Sequence, residues 1–247
     1  PAANRRAAAN LARAFPGLSA SARRALVHRH FVHMGRALGE YLSLTRRGPA
    51  RLAARVRIEG YDHVERALAA GRGAVILTAH LGSWEVAGAA LALRVPGFAA
   101  VGRALSNPGF TRLVEAWRAG FGMRTIRTDD ARGMLRHLRG GGALGVLSDQ
   151  DSLRVANVHV PFFGARVATP VGPVRLAERT GAALLSAFIV REGRRHRFVF
   201  DTLAARADGA RAEEHLAAFN RGLEAFVRAH PEQWVWLHDR WRHALPA

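Results

Sequence analysis

His80 and Glu85, a histidine and a glutamate five residues apart, are the side chains of this sequence best suited to acid–base chemistry. In a continuous helix this offset would place them about 140° apart around the axis. Where a strand turns into a helix, the chain folds back. A carboxylate that accepts a hydrogen bond from one ring nitrogen then leaves the other nitrogen free to remove a hydroxyl proton. The alternative is a loop histidine beside a carboxylate that the positive end of a helix favours. The spacing leaves both interpretations open.

Two further polar segments follow short apolar runs in the same way. The segment Asp149–Asp151 is acidic, and acidic residues in such a place either hold an arginine or bind a metal; the excess of arginine in this chain favours the first role. Arg103 and Asn107 follow another apolar run and could donate hydrogen bonds to a phosphate or an oxyanion. For each segment taken alone, solvated surface charge is the alternative.

The elements that must position these residues are short apolar strands that alternate with helical patterns. Strands are predicted over 56–58, 74–78, 99–101, 143–147, 183–190 and 197–201, with helices between them. This alternation predicts a single α/β domain with a mostly parallel central sheet flanked by helices. Residues 1–50 are predicted to be a helical extension of the same domain, and residues 51–247 its α/β part. Ligands of such sheets lie at the carboxyl ends of the strands, where the polar segments begin.

Composition excludes several kinds of chemistry. Cysteine and lysine are absent, which excludes disulfides, a thiol nucleophile and a Schiff base. Thirty-seven basic residues, all arginine, face 19 acidic ones and give a net charge of +18. This charge suits nucleic acid, an anionic membrane surface, or acidic protein and phosphate ligands. No apolar run approaches the roughly 18 to 20 residues that a membrane-spanning helix needs.

Several other patterns do not fit their usual functions. The glycine-rich segment Gly140–Gly145 precedes a strand and is interpreted as a tight turn rather than a dinucleotide-binding loop. His28, His30 and His33 lie among arginines, which disfavour a bound cation. The C-terminal tryptophans suit either lipid headgroups or the core, and both interpretations stay open; they are Trp234, Trp236 and Trp241. No nucleic-acid-binding signature is present, so nucleic acid is not the expected partner.

With the later segments in order, the H-x4-E segment resembles the late acyltransferases of lipid A biosynthesis. This is the lauroyl- or myristoyl-transferase family, related to bacterial lysophospholipid acyltransferases. The resemblance runs from about Asn10 to the C-terminus. It rests on Phe15–Ser19, His80–Glu85, Arg103–Pro108, Trp117-Arg118, Asp149–Asp151, Val160–Gly164, Ala168–Pro170 and Pro231–His238.

The resemblance implies a glycerolipid-acyltransferase-like fold and transfer of a fatty acyl chain to a hydroxyl of a membrane lipid. The donor would be acyl carrier protein or acyl-CoA, the acceptor a lipid A precursor, and no metal or other cofactor would be needed. A lysophospholipid, an ornithine lipid or a glycolipid is an alternative acceptor, and an arginine-rich nucleic-acid-binding protein is the alternative of another class. The expected location is the cytoplasmic face of the bacterial inner membrane. The N-terminal membrane helix usual in the family is missing, and we expect that the start at Pro1 rather than Met accounts for it.

Carried over position by position, the resemblance makes His80 the general base and Glu85 its orienting partner. Arg118 and Asp149 would be the other catalytic residues, with Arg118 or Arg103 binding phosphate or oxyanion charge and Asp149 holding an arginine. Further residues are expected to bind substrate or to line an acyl pocket: Arg103, Asn107, Gln150, Asp151, Leu153, Phe162 and Phe163.

Overall fold

The structure is a computed structural model that describes residues 2–104, 106–151, 155–207 and 212–245. The strands are β1 (Val56–Glu59), β2 (Ala74–Thr78), β3 (Ala99–Gly102), β4 (Arg124–Arg127), β5 (Ala143–Leu147), β6 (Asn157–Phe162), β7 (Ala165–Pro170), β8 (Ala183–Glu192) and β9 (Arg195–Ala204). The helices are α1 (Ala2–Ala14), α2 (Ala20–Arg47), α3 (Pro49–Ala53), α4 (Tyr61–Ala69), α5 (Trp84–Ala92), α6 (Pro108–Ala119), α7 (Ala131–Arg139), α8 (Gly172–Thr180) and α9 (Ala212–Ala229).

Within these residues, seven strands form one sheet in the order β1-β9-β8-β2-β5-β3-β4. Neighbouring strands run parallel except β8 and β9, which form an antiparallel hairpin. The central strand β2 is an uninterrupted apolar run, Ala74–Leu77, and all four of these residues are buried. Such a run is typical of a strand covered on both faces. The predicted mostly parallel α/β sheet is therefore confirmed.

Helices cover both faces of the sheet. The core on one face includes residues of α1, α7, α8 and α9, and the core on the other includes residues of α3, α4 and α5. The long helix α2 contributes to both, with Leu26 and Val27 in the first core and Tyr41 and Leu44 in the second. Its N-terminus is capped by Ser19, whose side chain accepts from the Ala22 N–H at 3.2 Å. Helix α2 consequently crosses the sheet edge between the two layers.

Three strands have no counterpart among the predicted elements. In β4 only Ile126 of the sequence Arg-Thr-Ile-Arg is buried, so this edge strand lacks an apolar run. β6 and β7 form a separate antiparallel hairpin, and each contains a proline, which argues against a strand when the sequence alone is considered. Their tight turn uses Phe163 and Gly164 at φ 47° and 72°. Phenylalanine rarely adopts this conformation, so no turn signal marked it.

The C-terminal segment packs into the core. Trp234, Trp236 and Trp241 are 1%, 0% and 4% exposed and contact one another's rings. The interpretation that they pack in the core is confirmed, and the one that placed them among lipid headgroups is wrong. Phe162 and Phe163 belong to the same aromatic cluster and are also buried.

Candidate active site

A histidine and an aspartate meet at the carboxyl ends of two adjacent strands. β2 and β5 pair in parallel with Thr78 opposite Leu147, and the Ser148 N–H continues the ladder by donating to the Thr78 carbonyl at 2.8 Å. His80 and Asp149 each lie two residues beyond that register pair. The His80 Nδ1 is 2.8 Å from Asp149 Oδ1, and the His80 backbone N–H donates to Asp149 Oδ2 at 3.0 Å. Asp149, rather than Glu85, is thus the hydrogen-bond partner of the imidazole.

This partnership fixes which ring nitrogen can act as a base. Asp149 is 1% exposed, and its Oδ2 also accepts from the Trp234 indole N–H at 2.9 Å. An ionised carboxylate only accepts hydrogen bonds, so Nδ1 of the neutral imidazole carries the proton and Nε2 keeps its lone pair. The His80 side chain is 21% exposed, and its ring lies edge-on to Trp84 at 5.3 Å. A substrate hydroxyl can therefore reach this ring.

The electrostatics of the pair strengthen the base. Burial alone would lower the pKa of His80, but the charge of Asp149 and its hydrogen bond outweigh burial and raise that pKa above its ordinary value, with a contribution from Glu85. Burial opposes ionisation of Asp149, yet His80 and the Trp234 donor hold the pKa of this carboxyl below its usual range. The aspartate is therefore charged over the range in which the imidazole titrates.

Glu85 makes a different contact from the expected one. Its carboxylate binds Arg118 through two hydrogen bonds, from Nε to Oε2 at 3.0 Å and from Nη2 to Oε1 at 2.5 Å. Arg118 Nη1 donates further to Thr125 Oγ1 at 3.4 Å. The role of Glu85 as orienting partner of His80 and that of Asp149 as holder of an arginine are both wrong, because the two acids have exchanged partners. The Glu85–Arg118 pair instead ties α5 to α6 and β4.

A narrow apolar cleft adjoins this pair. It has a volume of about 50 Å³, and Trp84, Glu85 and Arg118 are part of its wall. The rest of its lining is mainly apolar and comes from α5 and from the sheet beneath it, including Leu91, Phe98, Val101, Met123 and Leu147. The cleft therefore links polar residues of the strand ends to the core under α5.

The residues expected to bind substrate are scattered. Arg103 is exposed, Gln150 is half-buried, and Leu153 lies outside the described residues. Asn107 caps α6, because its Oδ1 accepts from the backbone N–H groups of Gly109 and Phe110 at 2.8 and 3.1 Å.

Three other expected positions are engaged within the protein. Asp151 Oδ2 lies 2.8 Å from His243 Nδ1. Phe162 and Phe163 pack in the aromatic cluster, and neither lines the cleft; their place in the wall of an acyl pocket stays a prediction. The sequence patterns also did not predict that the Trp234 indole donates a hydrogen bond to Asp149. The donor lies 85 residues beyond its acceptor, and nothing in the local sequence connects the two.

Comparison with known proteins identifies the family to which the sequence belongs. The sequence model of the family described as Bacterial lipid A biosynthesis acyltransferase matches residues 2–243. The chain belongs to this family. The likeness therefore covers α1 and α2 as well as the sheet.

Relatives in this group differ in the lipids for which they are named. A phosphatidylinositol mannoside acyltransferase of Mycobacterium tuberculosis is 32% identical over 191 residues, which cover 74% of this chain and 59% of that protein. The lipid A biosynthesis palmitoleoyltransferase and myristoyltransferase of Escherichia coli are 29% and 28% identical. Each of these two matches covers 94% of this chain, and 76% and 73% of the relative's length. The chain thus spans about three fifths of the mycobacterial relative. None of its described helices is long and apolar enough to cross a membrane.

Proposed function

We propose that this protein is an acyltransferase that moves a fatty acyl chain from a thioester to a hydroxyl of a membrane lipid, with His80 as general base. The observation that carries the proposal is the His80–Asp149 pair, whose carboxylate fixes the proton on Nδ1 and leaves Nε2 as the base. Family membership supports the reaction class.

The proposed reaction uses the imidazole twice. Nε2 takes the proton of the acceptor hydroxyl as its oxygen attacks the thioester carbonyl carbon. When the tetrahedral intermediate collapses, the C–S bond breaks and the imidazolium returns the proton to the leaving thiolate. The products are an ester and a free thiol. A positioned base of this kind contributes roughly 10²- to 10⁴-fold to the rate.

Arg118 is proposed to stabilise the charge that develops on the carbonyl oxygen. Glu85 fixes its orientation through two hydrogen bonds, and the guanidinium has N–H groups beyond those that Glu85 and Thr125 use. A fixed cationic donor of this type contributes more to the transition state than to the ground state. The thioester is already activated toward a nucleophile, so the proposed chemistry requires no metal or cofactor.

The donor, acceptor and location follow from the family and from charge. We propose acyl carrier protein, or acyl-CoA, as donor, because both are acidic and the chain carries a net charge of +18. A lipid A precursor is the proposed acceptor, on the strength of the family and of the relatives that match 94% of the chain. The lipid substrate places the protein at a membrane, for which we propose the cytoplasmic face of the inner membrane.

The apolar cleft under α5 is the proposed entrance for the acyl chain. It shares Glu85 and Arg118 with the site, so a chain lying there would present its thioester to the polar strand ends. At about 50 Å³ the cleft holds only a few methylene groups, and a longer chain requires it to widen. Helix α6 is suited to that movement, because none of its residues is buried.

The test is acyl transfer by the purified chain from acyl carrier protein loaded with a labelled fatty acid to lipid A precursor in mixed micelles. We expect His80→Ala to reduce turnover by roughly 10²- to 10⁴-fold. The matched control, His63→Ala, removes a half-buried histidine of α4 that lies 2.7 Å from Thr202 of β9, and it should keep full activity. Full turnover by a folded His80→Ala variant would remove the mechanism. Salt-sensitive DNA binding that survives this substitution, without acyl transfer, would favour the nucleic-acid alternative.

A further inference from the structure

A basic trough runs along α2 and shares no lining residue with the cleft. We define it by Arg36 and Arg47 of α2, Arg55 before β1, and Arg191, Arg194 and His196 of the β8–β9 hairpin. Its main cavity has a volume of about 410 Å³. A second cavity of about 380 Å³ adjoins it and shares Arg36 and Arg191. Together they are large enough for a headgroup of the size that ligand pockets commonly hold.

The trough carries excess positive charge. Its one acidic residue in the main cavity, Glu40, contacts Arg191 at 3.1 Å and His196 at 3.4 Å. In the second cavity the acidic residue is Glu232. Within the described part of the chain, Arg36, Arg47 and Arg194 form no ion pair, so their charges face solvent without compensation.

One buried polar atom in the trough also lacks a partner. The His196 side chain is 1% exposed, and its Nε2 faces Glu40, while its Nδ1 has no hydrogen-bond partner among the described residues. Buried polar atoms are usually satisfied, so His196 is an unusual polar group in the wall of the trough.

The trough lies at the same edge of the sheet as His80. β8 runs parallel to β2, so its carboxyl end, where Arg191 lies, is on the edge where β2 ends. Gln233 connects the two regions: its side chain bonds the backbone of Arg191 at 2.7 and 3.0 Å, and its carbonyl accepts from the Gly82 N–H at 2.9 Å. His33, which lines the second cavity, contacts the Gly82 carbonyl at 3.4 Å. A ligand in the trough would therefore lie beside the loop that follows His80.

We infer that the trough binds the phosphate of a lipid headgroup and so orients the acyl acceptor beside the loop that follows His80. Guanidinium groups form two parallel hydrogen bonds with phosphate, and several of them converging on a concave cavity suit a compact polyanion. An acidic carrier protein would instead require a broad exposed surface. The inference rests on the proposed function for the identity of the ligand as acceptor, while phosphate binding itself stands apart from it.

The experiment compares two double variants that remove equal charge. Arg36→Gln/Arg47→Gln takes two exposed arginines from the trough, and Arg72→Gln/Arg139→Gln takes two exposed arginines from the opposite edge, near the starts of β2 and β5. Binding of inorganic pyrophosphate is measured by calorimetry. Binding is also measured to phosphatidylcholine vesicles that contain either 20 mol% phosphatidic acid, which carries a phosphate, or 20 mol% oleic acid, which carries a carboxylate. His80→Ala is included to separate binding from catalysis.

We expect the trough variant to lose roughly 30-fold in affinity for phosphatidic acid vesicles, since the charge-assisted hydrogen bonds of each arginine to the phosphate contribute a factor of at least about five. Its affinity for oleic acid vesicles should change little, and the opposite-edge variant and His80→Ala should bind both kinds of vesicle like the unchanged protein.

A loss of affinity for phosphatidic acid vesicles alone identifies a lipid headgroup as the ligand. An equal loss of affinity for pyrophosphate identifies a general phosphate site. Both results support the inference. Equal losses in the two double variants, or a loss confined to binding of acyl carrier protein, would overturn it. Absence of acyl transfer with phosphate binding intact would refute the proposed function alone.

Discussion

At the scale of single residues, Asp149 keeps its charge although it is almost completely buried. Its two oxygens accept three hydrogen bonds, from the ring and the backbone of His80 and from the indole of Trp234. Donors directed at a carboxylate favour its ionised form and offset the cost of burial. The charge in turn raises the proton affinity of the imidazole. The proposed base is therefore set by groups from three distant parts of the sequence.

Substitution of Asp149 by asparagine tests this coupling through the pH dependence of turnover. The pKa of His80 is raised above 6.5 in the folded protein, and the base must be neutral, so activity should rise with pH through that raised pKa. In Asp149→Asn the charge that raises the pKa is gone. The midpoint should move to lower pH, while the plateau should fall by roughly 10²-fold or more because the amide no longer fixes the tautomer.

Asp129→Asn is the control for that profile, because Asp129 pairs with the exposed Arg127 at the surface. Its midpoint and plateau should match those of the unchanged protein. A midpoint that stays in place in Asp149→Asn, with folding intact by circular dichroism, would mean that His80 is not the group that titrates.

The sequence predicted which residues gather at the site better than it predicted their partners. His80, Glu85 and Asp149 all follow predicted apolar strands, and the carboxyl ends of parallel strands share one edge. Which acid meets the imidazole depends on the register between β2 and β5, where Thr78 lies opposite Leu147. Local spacing contains no information on this register, so the nearer acid in the sequence was paired wrongly.

At the scale of elements, the Glu85–Arg118 ion pair connects α5 to α6. Its side chains are 22% and 14% exposed, so the pair is partly buried and its loss leaves an uncompensated charge. Helix α6 has no buried residue, and the ring of its Trp117 lies edge-on to that of Tyr41 of α2. The contacts of Trp117 and Arg118 thus hold the C-terminal end of the helix.

Glu85→Gln should loosen α6. We expect the free energy of unfolding to fall by about 1 to 3 kcal/mol, because Arg118 loses its charge partner in a partly buried place. Amide hydrogens of α6 should exchange faster than those of α5, which is mostly buried. Urea denaturation and hydrogen exchange by mass spectrometry measure the two effects. Asp62→Asn, which breaks an exposed pair with Arg66, should change neither; equal effects in both variants would contradict the role of the Glu85–Arg118 pair.

Elements were predictable where burial followed a simple period. β2 and β5 match their predicted bounds, because both are apolar runs buried on both faces. β4 was missed because an edge strand buries only one residue in four, and the β6–β7 hairpin because its prolines and its Phe163 turn contradict local preferences. Tertiary pairing, rather than local propensity, determines these strands.

At the scale of the whole molecule, positive charge is combined with exposed apolar side chains near the site. Leu38 of α2 is 53% exposed, and Phe110 and Leu113 of α6 are 45% and 42% exposed. The two helices meet where Tyr41 contacts Trp117, one turn beyond Leu38 and Leu113 and two turns beyond Phe110. Apolar side chains flanked by arginines are suited to the interface of an anionic membrane. This face would bring the cleft to the lipid.

The protein should therefore bind vesicles that contain anionic lipid, and Phe110→Ser/Leu113→Ser should weaken that binding by roughly tenfold or more. Each side chain contributes on the order of 1 kcal/mol when its exposed part enters the lipid. Sedimentation with vesicles of 30 mol% phosphatidylglycerol measures the effect at several salt concentrations. Salt should weaken vesicle binding of the unchanged protein and of the double variant to the same degree, because salt screens the arginines and leaves apolar burial intact. Leu245→Ser, which removes a similarly exposed leucine near β7, is the control and should bind normally. If it weakens binding as much as the α6 variant does, the membrane-facing surface is not at α2 and α6, and the cleft must receive its acyl chain from another side.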